Sequence, residues 1–360
     1  MTLPAAIWSN FAARRFVGNH YPDIVVAVRC EIRRNFDDLP FPRKLPTTQR
    51  PVKYKWLEQR LSDAGLLHDS YRVAAQALTI AEADFFVERA WCDRAFMDDR
   101  DGVAYLDAGG QVAWQIGGDD WLRWCGSGRG IVFNELFQAG VAACGRIPDF
   151  VFACDERFGG LTAVLDESGG GRFVTVLHLP ALLVSDRFDE LTAELFGEQL
   201  ELTARYRPGR PPPGGWMELR HRRSAASDAV SLVHILEAVA LKLARAERAA
   251  RRDILRTSRI ALQDMVARGF GLLKHARIVR YDEWLELHST LRLASELGWL
   301  RGIPAVLLDM LPDRLSEAAL RVYAHNADPD WESGLLRAQL LREWLANAQL
   351  RLGDSAGERE

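Results

Sequence analysis

The chain has 360 residues, of which 48% are hydrophobic and 26% charged, with a net charge of −3. That length accommodates two domains with substantial cores, and the near-balanced charge excludes a bulk electrostatic pull toward nucleic acid. The opening MTLPAAIWSNF lacks the basic and apolar segments of a signal peptide, and no apolar run approaches about 18 residues, so a cytoplasmic protein without a membrane partner is expected.

Residues 1–22 read as an amphipathic lead-in anchored by Trp8, Phe11 and Phe16. Residues 23–29 (DIVVAVR) form a buried-type strand, continuously apolar and β-branched at its centre. The strand runs into residues 30–36 (CEIRRNF) and the stop Leu39-Pro40-Phe41-Pro42. Residues 53–97 are mainly helical in pattern, with a break near Gly65. Residues 102–107 and 111–116 then alternate around Ala108-Gly109-Gly110, a strong hairpin signal. Gly117-Gly118-Asp119-Asp120, taken alone, is a turn with an Asx cap. A helix follows over 130–144, with Val132, Leu136, Val141 and Ala142 toward the core and Gly145 as its stop. The five cysteines include no CxxC pair, which argues against a disulfide framework and against a zinc site.

The middle of the chain holds Gly169-Gly170-Gly171-Arg172, a strand-like run over 173–177 and the stop His178-Leu179-Pro180. Three glycines cost backbone entropy and need a reason. One is a flexible connection before a strand. Another is close approach of backbone N–H groups to an anion that the adjacent guanidinium also binds. Residues 179–196 read as a helical connection, 200–204 as a strand, and Pro211-Pro212-Pro213 as a stiff extended segment. Ser227 is the expected N-cap of a long helix whose stripe is Val230, Leu232, Val233, Leu236, Val239, Ala240 and Leu243. A charged run over 245–256 continues it, and a shift of composition places a domain boundary within 255–262. Residues 260–350 are helical by period, which by itself describes a structural or interaction bundle.

Several motifs fall in one order: AVRCEIRRN at 27–35, VERA at 87–90, GGDDWLR at 117–123, FACDERFGGLT at 152–162, the glycine turn with Arg172, HLPAL at 178–182 and RYRPGR at 205–210. Together they resemble the catalytic core of the ATP:guanido phosphotransferases (creatine and arginine kinases), and most of all the bacterial protein-arginine kinases of McsB type. The resemblance implies an α+β fold. An antiparallel-sheet catalytic domain flanked by helices would occupy 1–257, an all-α domain 258–350, and a polar tail 351–360. It implies ATP as cofactor, with Mg²⁺ arriving on the nucleotide and no metal held by protein side chains. Arg29, Arg123, Arg172 and Arg205 take the family's phosphate-binding positions, and Val174, Val176 and Gly209 fall within the nucleotide-binding motifs. Asp119 takes the place of the catalytic carboxylate, which orients and deprotonates the acceptor guanidinium.

The departures are specific. Glu31 replaces an arginine between Arg29 and Arg34, Ala90 a nucleotide-contacting histidine, Val164 a reactive cysteine, and Arg210 a second carboxylate. Two like charges about 4 Å apart cost about 4 kcal/mol at an effective dielectric near 20. Glu31 must therefore point away from a bound phosphate, pair with Arg33 or Arg34, or weaken nucleotide binding. In the C-terminal domain, Arg337-Ala338 keep half of the family's Arg-Asp-x-x-Arg-Ala phospho-arginine motif. The expected function is ATP or phosphate binding through the arginine cluster without efficient transfer, as a regulatory pseudokinase. The alternative is an active kinase that moves the γ-phosphoryl group onto arginine side chains of proteins. A nucleotide and a protein substrate or partner are the expected partners, and a homodimer is compatible.

Overall fold

The computed structural model describes residues 16–197, 200–205, 213–222, 228–324 and 333–352. Trp8, Phe11, Gly209, Arg210 and Ser227, all singled out above, lie outside the described residues.

The long first strand, β1 (Val25–Arg34), sets the architecture. Its even residues Val26, Val28, Cys30 and Ile32 are buried on one face. Its odd residues Arg29, Glu31 and Arg33 share the other. The helix α1 (Arg50–Asp63) follows and stops just before Gly65. The stretch read as helical up to residue 97 is interrupted by β2 (Ser70–Ala74) and resumes as α2 (Ile80–Glu88) and α3 (Arg94–Met97). Helix α2 opens with a capping box between Thr79 and Glu82. The expected hairpin is β3 (Val103–Asp107) and β4 (Val112–Ile116), and a further strand, β5 (Leu122–Gly128), returns along β1.

Helix α4 (Phe133–Gly145) lies on the apolar face of this sheet. Its buried stripe is Phe133, Leu136, Phe137, Gly140 and Cys144. Val141 and Ala142, expected toward the core, are exposed instead. The stripe starts at Phe133, so the positions one and two residues past Gly140 turn to solvent. A short hairpin, β6 (Cys154–Asp155) with β7 (Gly159–Gly160), precedes β8 (Arg172–His178). The helices α5 (Pro180–Leu183) and α6 (Arg187–Gly197) then lead to β9 (Leu200–Ala204) and β10 (Trp216–His221). The sheet has eight strands in the order β2-β3-β4-β5-β1-β8-β10-β9. The pairs from β2 through β5 to β1, and β1 with β8, are antiparallel.

The glycine turn has a packing reason. Gly169 adopts φ +122, and its N–H donates to the Gly160 carbonyl at 2.8 Å. A Cβ on Gly170 would stand 2.1 Å from the Ala229 Cβ, so only glycine lets the chain pass there.

Helix α7 (Ala229–Thr257) is capped by Asp228, whose carboxylate accepts from the Ser231 N–H at 2.9 Å, one residue later than expected. Its stripe is buried at Leu232, Val233, Leu236, Val239, Ala240 and Leu243, whereas Val230 is half exposed. The remaining helices are α8 (Arg259–His275), α9 (Tyr281–Glu296), α10 (Ala305–Arg314), α11 (Glu317–Tyr323) and α12 (Ser333–Trp344). Two-residue strands β11 (Leu300–Arg301) and β12 (Gln349–Leu350) pair beside them. No described helix is long and apolar enough to cross a membrane.

The chain divides into two compact units. The first comprises Met1–Leu177, Leu191–Leu202 and Glu218–Leu243, and the second His178–Glu190, Thr203–Met217 and Ala244–Glu360. The second unit is therefore assembled from three stretches of chain. Its apolar core includes Val266, Leu273, Trp284, Leu291, Leu311 and Leu341.

Candidate functional site

Strand register builds the candidate site in the first unit. Arg33 pairs with Arg123 on β5, and on β8 Glu31 stands opposite Arg172 and Arg29 opposite Val174. Beyond a register shift, Ala27 stands opposite Val176. Directly paired residues project to the same side of a sheet. The face of β5, β1 and β8 opposite α4 therefore gathers Arg29, Arg123, Arg172, Val174 and Val176, with Glu31 in their midst.

Glu31 lies in the middle of this face and is paired. Arg123 donates to it twice, from Nη2 to Oε1 at 2.7 Å and from Nε to Oε2 at 3.2 Å. The same guanidinium donates to the carbonyls of Trp91 at 3.2 Å and Ala90 at 3.0 Å, and its side chain is only 2% exposed. Arg33 approaches Glu31 at 3.6 Å. Burial alone would push the Glu31 carboxyl up, but Arg123, Arg33 and Arg172 overcome it and hold the group at about 2. The Arg123 guanidinium is opposed by its own burial, and Glu31 more than offsets that. The position expected to offer Arg123 to a phosphate thus holds a buried ion pair in which Arg123 already makes four hydrogen bonds.

The pairing continues outward. Arg33 also contacts Asp93 at 3.0 Å, Asp120 at 3.3 Å and Glu167 at 3.7 Å. Glu167 in turn accepts from Arg172 at 2.8 Å, whose side chain is 36% exposed. Carboxylates and guanidiniums therefore alternate from Arg172 through Glu167, Arg33 and Glu31 to Arg123. Arg29 differs, since it has no carboxylate partner among the described residues. A phosphate-bearing ligand suits this face unevenly: Arg29 is available, Arg172 shares its charge with one carboxylate, and Arg123 is already committed.

Asp119 sits in the turn between β4 and β5. That turn is pinned from both sides. Asp120 accepts from Asn35 Nδ2 at 2.7 Å and from the Ala163 N–H at 2.8 Å, while Asn35 Oδ1 accepts from the Trp121 N–H at 3.0 Å. Asp99, bonded to the Tyr54 hydroxyl, accepts from the Gly118 N–H at 3.0 Å. Asp119 itself is ion-paired to Arg43. Burial pushes its carboxyl above the usual range, with Arg43 the foremost opposing influence and Asp93 and Asp120 adding to the rise.

Cys125 shares the arginine face, but burial pushes its thiol up, so it supplies no thiolate in place of the cysteine missing at Val164. Val164 is half exposed beside the one-turn helix Leu165–Glu167. Arg205 lies in the second unit, where its guanidinium pairs with Asp313 at 3.1 Å. Arg337 is fully buried there, donating to the carbonyls of Leu315 at 2.9 Å and Val279 at 2.8 Å and to Glu317 at 2.9 Å. Sequence reasoning passed over Asp93, Asp120, Glu167, Asn35 and Arg43. The alternation of Glu31 with Arg33 along β1 was the available signal for a charged face.

Comparison with known proteins finds similarity to the same group that the motifs resemble. The family profile described as the protein-arginine kinase McsB C-terminal domain matches residues 259–355. A protein-arginine kinase of Moorella thermoacetica is 28% identical over 331 residues, covering 90% of this chain and 94% of that one. That of Geobacillus kaustophilus is 26% identical over 354 residues, covering 95% and 96%. Among solved structures, lombricine kinase superposes with a TM-score of 0.54 at 16% identity, over 65% of this chain and 69% of that chain. A duplicated taurocyamine kinase from Schistosoma mansoni gives 0.55 at 13% identity, over 69% and 37%. At such identities the superpositions establish the fold alone. Residues 259–355 thus carry the protein-arginine kinase McsB C-terminal domain, and over about nine-tenths of its length the chain is similar to bacterial protein-arginine kinases.

Proposed function

We propose that this chain is a guanido-kinase relative that takes up a nucleotide or phosphate through its arginine face and transfers the phosphoryl group poorly or not at all. The observation that carries this reading is the buried Glu31–Arg123 pair. Phosphoryl transfer depends on positioned cations that neutralise the transferring group. A cation already bonded to an internal carboxylate contributes little to that task, and the carboxylate repels an incoming phosphate. Arg29 and Arg172 remain as the residues that would hold the phosphates, with Val174 and Val176 beside them, and the metal would arrive on the nucleotide. A bound MgATP would supply the γ-phosphoryl group. Asp119 would orient an acceptor guanidinium through a side chain one methylene shorter than glutamate, and misplacement by about 1 Å costs on the order of 10²-fold in rate.

Isothermal titration with MgATP tests the binding half, and incubation with labelled ATP and an arginine-rich protein, scored for acid-labile phosphate, tests the transfer half. Wild type is expected to bind MgATP in the millimolar range and to leave the protein unlabelled. Glu31→Gln, which removes the competing charge and keeps a polar partner for Arg123, should tighten MgATP by about tenfold or less. Robust labelling of arginine by wild type, abolished by Asp119→Asn, would establish the active-kinase alternative instead.

A further inference from the structure

The acceptor carboxylate already faces a guanidinium from its own chain. Arg43 stands in the one-turn helix Pro42–Lys44, and its Nε forms an ion pair with Asp119 Oδ1. The two ends of the pair differ, because the Arg43 side chain is 63% exposed and that of Asp119 only 25%. Oδ1 is buried, and no well-aligned hydrogen bond reaches it, so the contact is one of charge rather than of the paired bonds an arginine can make.

The segment carrying Arg43 is secured without its guanidinium. Trp121 Nε1, two residues beyond Asp119, donates to the Pro40 carbonyl at 2.9 Å. Arg50 donates to the carbonyls of Leu45 at 3.3 Å and Arg43 at 3.4 Å. The backbone therefore delivers Arg43 to the Asp119 turn, and the side chain is spare. The neighbouring carboxylates are spoken for: Asp93 and Asp120 share Arg33, which leaves Asp119 to Arg43.

We infer that Arg43 is a built-in occupant of the carboxylate that receives an acceptor guanidinium, and that it holds this place against arginine side chains of other proteins. The inference rests on the reading of Asp119 as the guanidinium-binding group. Chemical identity supports it, since the occupant is the same group the site is built to hold. So does geometry: an exposed, singly attached guanidinium gives way to one that binds both oxygens. With Arg43 in place, the half-buried carboxylate keeps a counterion and stays closed to other guanidinium groups.

Fluorescence anisotropy with a labelled short arginine peptide, and with its lysine counterpart, tests the inference. An exposed ion pair is a weak competitor, so Arg43→Ala should tighten the arginine peptide by about two- to fivefold. The lysine peptide should not change, and Asp119→Asn should cancel the gain when combined with Arg43→Ala. Because Arg43 is exposed, a thermal melt should confirm an intact fold. If Arg43→Ala gains nothing while Asp119→Asn alone weakens the arginine peptide, Arg43 is no occupant, although Asp119 keeps its role. An equal gain for the lysine peptide reduces the effect to net charge and overturns the inference. Indifference to Asp119→Asn in both backgrounds removes the occupant and the reading of Asp119 together.

Discussion

A glutamate surrounded by arginines and taken out of water is tolerated only while ionised. The Glu31 carboxyl falls from its ordinary 4.5 to about 2, because Arg123 and its neighbours outweigh the burial that would raise it. In the unfolded chain the group regains its ordinary value. As the pH falls below about 4.5, the unfolded chain binds the proton first, so stability declines through the window down to about 2. Above that window the contribution is complete. Urea unfolding of wild type and Glu31→Gln should therefore differ most at neutral pH, with the gap closing as pH approaches about 2. A gap that stays constant across the window would show that Glu31 contributes through shape and not through charge. Removing the carboxylate outright, as in Glu31→Ala, leaves Arg123 buried and unpaired, at a cost of about 3–5 kcal/mol. Which arginine Glu31 chooses was not legible in the sequence. Arg33 and Arg34 are near it along the chain, yet the dominant partner is 92 residues away. Register decides the matter: Glu31 stands opposite Cys125, and Arg123 is the diagonal neighbour on the same face, within reach of a long side chain.

At the scale of elements, the sheet separates two kinds of chemistry onto its two faces, and α4 covers the apolar one. Gly140 marks the closest approach. A Cβ there would meet Ile32 Cδ1 and the Trp124 ring at 2.6 Å, and both side chains are buried against further neighbours. Alanine is the better helix former by about 1 kcal/mol, whereas forcing a methyl into a filled contact costs about 1–3 kcal/mol. Overpacking should win, so Gly140→Ala is expected to lower Tm. A rise in Tm would mean that α4 can lift from the sheet without loss. The β3–β4 hairpin, β1 and the position of α4 were legible because their apolar periods are local. Strands β2 and β5 were not. The sequence of β2, SYRVA, sits inside a run of helical spacing, and β5 ends in Gly126-Ser127-Gly128, which masks the strand preference of Trp124. Pairing with β3 in one case, and with β1 and β4 in the other, makes them strands.

For the whole molecule, the residues matched by the McsB C-terminal profile are fewer than those that form the second unit. The profile covers 259–355, but the unit also takes in His178–Glu190, Thr203–Met217 and the chain from Ala244. Those added stretches supply much of its buried polar network. His178 bonds Ser289 at 2.7 Å and receives Arg292 Nη1 on Nδ1 at 2.9 Å, which fixes the neutral ring with its proton on Nε2 toward Ser289. Burial, with Arg292 and Arg251 beside it, keeps this imidazole well below its ordinary pKa. Trp216 stacks on His288 with ring centroids 5.5 Å apart. Glu247 accepts from the Leu182 N–H at 2.7 Å and pairs with Arg251 at 2.5 Å. A fragment of residues 258–360 retains Ser289, His288 and Arg292 and loses His178, Trp216 and Arg251. Arg292 would keep Asp309 at 2.7 Å, but the cavity left by one tryptophan is worth about 3–5 kcal/mol, a large part of a small domain's stability. The fragment is therefore expected to keep helical far-ultraviolet dichroism, to lose its near-ultraviolet signal and to unfold in urea without a cooperative transition. The full chain should show a cooperative one. A sharp transition in the fragment, with a slope suited to its size, would show that the helices α8–α12 form a core sufficient without the segments around His178 and Trp216.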